Sequence, residues 1–191
     1  DPEEALGESW RWRTFDRAEG LGSSTVTALH QDRNEYVYAA TDRGVSRYDL
    51  WEWTVLENAQ PFDDGEVRRF VESPSTLYAV TANALWKVQG GTVLAPFYRG
   101  GGLFAASNDI GDVFVVESRD AKHLHVRGEA VERIDDVRLP GGKVIAYDVD
   151  PARIHWLLTA DGLFQRDMGR RAWRELHDRD VDTALSDRKC K

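Results

Sequence analysis

The sequence predicts a β-propeller, an all-β fold built from four-stranded antiparallel blades, and three observations lead there. A cassette of about forty residues recurs along the 191-residue chain. Inside each copy, apolar and polar residues alternate with the period of two that strands require. Asp-Gly pairs and related turn residues separate the runs where hairpins need positive φ. A repeat of this length indicates a solenoid, a propeller or an array.

The clearest copy opens the series. Val26-Thr27-Ala28-Leu29-His30-Gln31-Asp32 predicts the inner strand, Tyr36–Thr41 the second, Gly44–Tyr48 the third and Trp53–Leu56 the outer strand. The next copies start at Val67 and near Leu103, and a fourth at Val144. This fourth copy continues as Ile154–Thr159, Gly162-Leu163-Phe164 and Trp173–Leu176. Thr41, Thr81 and Thr159 close the second strand of their copies; the third has Glu117 or Ser118 there, and Gly100-Gly101-Gly102 leads into it. Asp32–Glu35, Ser73–Thr76, Asp109–Asp112 and Asp150–Arg153 are the turns between first and second strands. Stacking such meanders around an axis buries faces that a single unit leaves open.

The strand count adds an expectation about the ends. Trp12–Phe15 reads as the outer strand of a preceding blade, and Val181-Asp182-Thr183-Ala184-Leu185 echoes Val26-Thr27-Ala28-Leu29. The chain is therefore expected to hold about four complete blades with a partial strand at each end. Residues 1–9 form an N-terminal segment and 10–191 a single propeller domain or propeller fragment. Its repeats lie near 26–56, 67–97, 103–134 and 144–176, with a partial fifth at 181–189. A ring of seven such blades needs roughly 280 residues, so more chain or another subunit would complete it. A closed four-bladed ring with a spare strand at each end is the alternative.

Composition narrows the function classes. Hydrophobic residues make up 41% and charged residues 30%, a globular balance. The net charge of −8 disfavours nucleic acid and anionic membrane as partners, because both need a basic face. Mixed runs such as Asp16-Arg17-Ala18-Glu19 read as solvated surface. The single cysteine, Cys190, allows no internal disulfide. No apolar run reaches the eighteen residues of a membrane span. The only helix-like stretch, Pro2 to Ser9, is short and acidic.

The cassette Leu21–Asp32, followed by Thr41-Asp42-Arg43-Gly44-Val45-Ser46-Arg47-Tyr48, resembles the two-component-regulator propeller repeat. Ile154–Phe164 is similar to the second half of that repeat, and Trp12, Trp53 and Trp173 stand where the family often has an outer-strand tryptophan. The chain departs from the pattern at Asn34-Glu35, Ala40, Ala84 and Leu158, where glycines are usual. The resemblance implies a ligand-sensing module with a periplasmic or extracellular address, set before a signalling transmembrane segment and a kinase.

Candidate chemistry is sparse. His123 and His125 lie two apart on a strand and share a face. Zinc would need a third ligand, so no metal and no cofactor are expected. His30, His155 and His177 read as packed or solvated singly. Asp148 and Asp150 could act as acid and base, but Asp150 sits at the hairpin-capping position of Asp32. Asp63-Asp64-Gly65 and Asp135-Asp136 fall in equivalent connectors between blades and could line a mouth of the ring. Trp10 and Trp51 lie two residues before the repeated tryptophan position and are candidates for an exposed sugar platform. No Gly-x-Ser-x-Gly or Cys-His arrangement is present. The expectation is a non-catalytic recognition module for an unidentified ligand or protein, with Trp10, Trp51, Asp63, Asp64, Asp135 and Asp136 as candidate contacts. An assembly scaffold and a propeller hydrolase or lyase are the rivals.

Overall fold

Four antiparallel sheets of four strands each account for the architecture, with strands in simple sequential order within every sheet. The computed structural model describes residues 13–58, 62–134, 138–170 and 172–177. Blade one comprises β1 (Val26–Gln31), β2 (Val37–Thr41), β3 (Gly44–Tyr48) and β4 (Trp53–Val55). Blade two comprises β5 (Arg69–Glu72), β6 (Leu77–Val80), β7 (Ala84–Gln89) and β8 (Thr92–Arg99). Blade three comprises β9 (Leu103–Ser107), β10 (Val113–Glu117), β11 (Lys122–Arg127) and β12 (Ala130–Arg133). Blade four comprises β13 (Val144–Val149), β14 (Ile154–Thr159), β15 (Gly162–Asp167) and β16 (Arg174–Leu176). Strand makes up 53% of the chain, and the described helix is one 3-10 turn at Arg17–Glu19. The propeller fold and its blade count stand as the sequence predicted.

The core lies between blades rather than within them. Tyr38, Ala40 and Val45 of blade one pack on Phe70, Leu77 and Ala79 of blade two. Leu85 and Val80 meet Leu103, Val113 and Val115 at the next junction. Phe114 and Val116 meet Tyr147, Val149 and Leu157 at the last. All five positions of β10 are buried because blade three has a neighbour on each face. β14 alternates instead: His155, Leu157 and Thr159 are buried toward blade three, while Leu158 on the other face is 38% exposed.

Each copy of the repeat solves the same turn problem locally. The Asp32 carboxylate accepts from the backbone N–H of Asn34 and Tyr36, at 2.9 and 3.0 Å. Asp150 accepts from Ile154 N–H at 2.9 Å, and Asn108 from Asp112 N–H at 2.8 Å. Ser73 does so from Thr76 N–H at 3.1 Å. These bonds satisfy backbone donors that the hairpin leaves free of the ladder. They also place Asp150 as a cap. The residue that closes the turn has a left-handed φ in three copies: Glu35 at 68°, Gly111 at 84° and Arg153 at 61°.

The threonines closing the second strands donate to the carbonyl three residues on: Thr41 to Gly44 and Thr81 to Ala84, at 3.0 and 3.2 Å. Glu117 replaces the threonine in blade three and is 3% exposed. Its carboxylate accepts from Tyr98 Oη at 2.7 Å, Gly101 N–H at 2.9 Å and Lys122 Nζ at 3.2 Å. One side chain thus ties together the turn and the triple-glycine connector. Burial raises the Glu117 pKa, but the bonds from Tyr98, Gly101 and Lys122 outweigh it and hold the carboxyl below its usual range. Burial and the same carboxylate push Tyr98 up to about 12.

Several expected strand boundaries moved. β5 begins at Arg69 rather than Val67; Val67 is buried just ahead of it. The expected strand at Trp12–Phe15 lies partly outside the described residues. Arg13–Phe15 joins no ladder, and the Phe15 ring packs on Tyr48 and Trp53 with centroids 5.2 and 5.9 Å away. The segment after it covers the outer face of blade one: Leu21 and Ser23 are buried, and Gly22 N–H donates to Ser46 Oγ at 3.0 Å.

Candidate functional site

The N-terminal ends of the inner strands β5, β9 and β13 converge on a mouth of about 670 Å³. Its wall is Leu103, Phe104 and Ala105 from blade three with Val144, Ile145 and Ala146 from blade four. Arg68, Arg69 and Lys143 stand at its rim. Arg69 spans the axis from blade two to blade four. Its Nη1 donates to Tyr147 O at 3.1 Å and its Nη2 to Asp148 Oδ1 at 2.9 Å.

A β-bulge shapes the mouth. The register of β13 on β14 shifts between Val144 and Ala146, so Ile145 has no direct partner. A bulge re-aims the extra side chain, and Ile145 lines the mouth at 54% exposure. β1 carries the same shift between Val26 and Ala28. The mouth therefore joins an apolar wall to a cationic rim in a chain of net charge −8.

Behind the wall, Tyr147 turns its side chain into the junction of blades three and four. Its hydroxyl lies 2.9 Å from His123 Nε2 and 2.6 Å from His155 Nδ1. Arg166 Nη1 lies 3.3 Å from His123 Nδ1. A guanidinium only donates, so His123 Nδ1 accepts and its proton sits on Nε2. Nε2–H then donates to Tyr147 Oη, and the hydroxyl donates to His155 Nδ1. All four side chains are buried, and burial raises the Tyr147 phenol well above its ordinary value. A polar chain of this kind fixes one packing of the two blades, because every member needs its neighbours.

Arg166 and His155 are also one instance of a rule that holds in every blade. Tyr38 pairs Arg47, Tyr78 pairs Lys87, Phe114 pairs His125 and His155 pairs Arg166. An aromatic ring on the second strand faces a basic side chain on the third each time. In every blade the base has another partner as well: Arg47 lies 4.8 Å from the Tyr36 ring centroid, Lys87 4.5 Å from that of Phe97, His125 3.6 Å from Asp112 and Arg166 3.3 Å from His123. His125 also stacks on Phe114 at 4.5 Å. Burial lowers its pKa. Among the described residues no group of three His, Cys, Asp or Glu could hold a metal ion.

The residues singled out from sequence do not assemble into one site. Asp63 pairs with Arg99 at 3.2 Å on the surface. Asp64 accepts from the Thr81 hydroxyl, pinning its connector to a second-to-third-strand turn. Trp51 is 84% exposed, as expected of it. It occupies the β3–β4 turn, at the opposite end of the strands from the mouth. Trp10, Asp135 and Asp136 lie outside the described residues, as do Cys190, the Pro2–Ser9 stretch and the segment 181–189. A second cavity of about 560 Å³ opens on the face opposite the mouth, lined by Ser73, Pro74, Asp112, His125, Arg127 and Arg153 among others. Arg127 Nε donates to His125 Nδ1 at 3.0 Å there.

No family model and no curated protein matches the sequence. Solved structures do match in fold. A virginiamycin B lyase from Staphylococcus aureus is 12% identical with a TM-score of 0.60, over 82% of this chain and 57% of that one. A gluconolactonase from Xanthomonas campestris is 12% identical with a TM-score of 0.54, over 73% of this chain and 58% of that one. The extracellular domain of a protein described as a hybrid two component system of B. thetaiotaomicron is 12% identical with a TM-score of 0.63, over 87% of this chain and 26% of that one. The chain thus spans 57% and 58% of the length of these two enzymes and 26% of that of the two component protein. These likenesses show the fold alone. They also correct the expectation of a non-catalytic module, because proteins named as enzymes share this fold with the extracellular domain of a two component system. The physical reason is that successive blades bring loops to one concave mouth, where either a binding or a reactive group can be set. Among the described residues no helix is long and apolar enough to cross a membrane.

Proposed function

We propose that the chain is the ligand-recognition part of a sensing protein of the two-component-regulator propeller type, working outside the cytoplasm, and that its ligand seats in the mouth at β5, β9 and β13. The mouth is the observation that carries the reading. It is concave, its volume falls in the range of small-molecule sites, and its wall combines exposed apolar side chains with charged groups. The cassette resemblance supports the sensing role. So does the occurrence of this fold in extracellular domains of proteins described as one- or two-component systems.

A thermal-shift screen of small metabolites against the wild-type chain and Ile145→Trp tests it. The tryptophan fills the mouth without touching the core. The reading predicts ligands that raise the wild-type melting temperature and leave the variant unmoved. Ligands that stabilise both proteins equally would place binding elsewhere and overturn it.

A further inference from the structure

Resting on the mouth as the ligand site, we infer that it selects an organic anion with an apolar body, and that Arg68 and Lys143 are the groups that read the charge. Arg68 precedes β5 and Lys143 precedes β13, so the two cations stand on different blades at one rim. Both side chains are exposed. Among the described residues neither side chain has a hydrogen-bond or ion-pair partner, unlike the third cation of the rim, Arg69, which is held by Tyr147 O and Asp148. The chain is acidic overall, and yet the side chains bearing charge in the lining are basic. An anion entering this rim gains the attraction of two cations that give up no internal partner. Low-dielectric walls strengthen that attraction relative to open water.

The rest of the lining specifies the body of the ligand. Ile145 and Ala146 are exposed in the mouth and Phe104 is half-buried there, with Leu103 and Val144 buried behind them. A free inorganic anion would leave that surface wet. A neutral apolar molecule would leave the two cations unpaired, and an anion with an apolar body serves both. Arg68 can offer a fork of parallel N–H donors to a carboxylate or sulfonate, while Lys143 supplies a point charge.

Isothermal calorimetry at low salt with 2-naphthoate, 2-naphthylmethanol and inorganic phosphate tests the assignment. The probes separate charge with body, body alone and charge alone. Wild type should bind 2-naphthoate at least tenfold more tightly than the alcohol or phosphate, with affinity falling as salt rises. The double variants Arg68→Ala/Lys143→Ala and Arg68→Gln/Lys143→Gln should lose that preference yet retain the alcohol affinity. Ile145→Trp should weaken both naphthyl probes. Equal binding of acid and alcohol, weakened by Ile145→Trp but not by the double variants, overturns the anion assignment and leaves the mouth as the ligand site. Phosphate binding as tightly as 2-naphthoate overturns the apolar part. Binding of the naphthyl probes unchanged by every variant, or no binding of any probe, overturns the inference, and the first of these removes the mouth as well.

Discussion

The Tyr147 hydroxyl lies 2.6 Å from His155 Nδ1, inside the junction of blades three and four. The backbone carbonyl of the same tyrosine accepts from Arg69 at the mouth. One residue thus connects the packing of two blades to the rim where a ligand would bind. Tyr147→Phe keeps the ring and removes the hydroxyl, deleting the bonds it makes with His123 Nε2 and His155 Nδ1. Urea denaturation should show a loss of roughly 1–3 kcal/mol, the scale of two buried hydrogen bonds removed. A variant as stable as wild type would mean that the relay contributes nothing to the junction.

Glu117 makes the fold sensitive to acid in a defined direction. Its folded pKa lies below the ordinary carboxylate value. Its contribution is therefore present above the unfolded pKa and is lost as pH falls through the folded one. Glu117→Gln should lower stability at pH 7 by roughly 1–3 kcal/mol, the scale of hydrogen bonds to a charged group. It should also flatten the acid limb of the stability–pH curve. Melting temperatures from pH 7 down to pH 3 check both, and an unchanged acid limb would assign acid sensitivity to other groups.

Glu35 sits at φ 68°, a conformation that side chains other than glycine adopt at a cost. Gly111, at the matching turn of blade three, shows what the backbone prefers there. The Glu35 side chain is exposed, so Glu35→Gly removes the strain and little packing. Chemical denaturation should show a gain of about 0.5–1 kcal/mol after the greater unfolded-state freedom of glycine is counted. A loss of stability would show that the turn tolerates glutamate without strain.

Arg69 spans the axis, but its pair with Asp148 is exposed on both sides. Arg69→Ala should cost only about 0–1 kcal/mol, the range for surface ion pairs. Its larger effect should fall on ligand binding at the mouth, read by the calorimetry described above. A destabilisation of several kcal/mol would instead make the cross-axis contact a main support of the ring.

The fold was legible because it depends on periodicity. The alternation in Tyr36–Thr41, the Asp32 and Asp150 caps and the closing threonines are local, and each reads directly from neighbouring residues. The candidate site was not legible, because it depends on which residues meet at the axis. Arg68-Arg69 and Lys143 look like ordinary solvated charge in sequence, and only the convergence of β5 with β13 places them at one rim. The bulge that turns Ile145 into the mouth changes no residue type. The carboxylates in the connectors single out Asp63 and Asp64, whose partners Arg99 and Thr81 lie on the last strand of the next blade and in its β6–β7 turn. His155 reads as isolated, and His123 pairs in sequence with His125, because the partner that His123 and His155 share, Tyr147, belongs to a third strand. The pairing of Tyr38 with Arg47 and its three counterparts could have been found by aligning second and third strands across the repeats.

The most direct test of the account is a map of where a ligand touches the chain. Backbone amide NMR during titration with 2-naphthoate provides it. Shifts should concentrate at Arg68–Arg69, Leu103–Ala105 and Lys143–Tyr147, with a smaller response at His123 and His155 relayed through Tyr147. Shifts gathered instead around Ser73, Asp112, His125 and Arg153 on the opposite face, or at Trp51 on the outer edge of blade one, would contradict it.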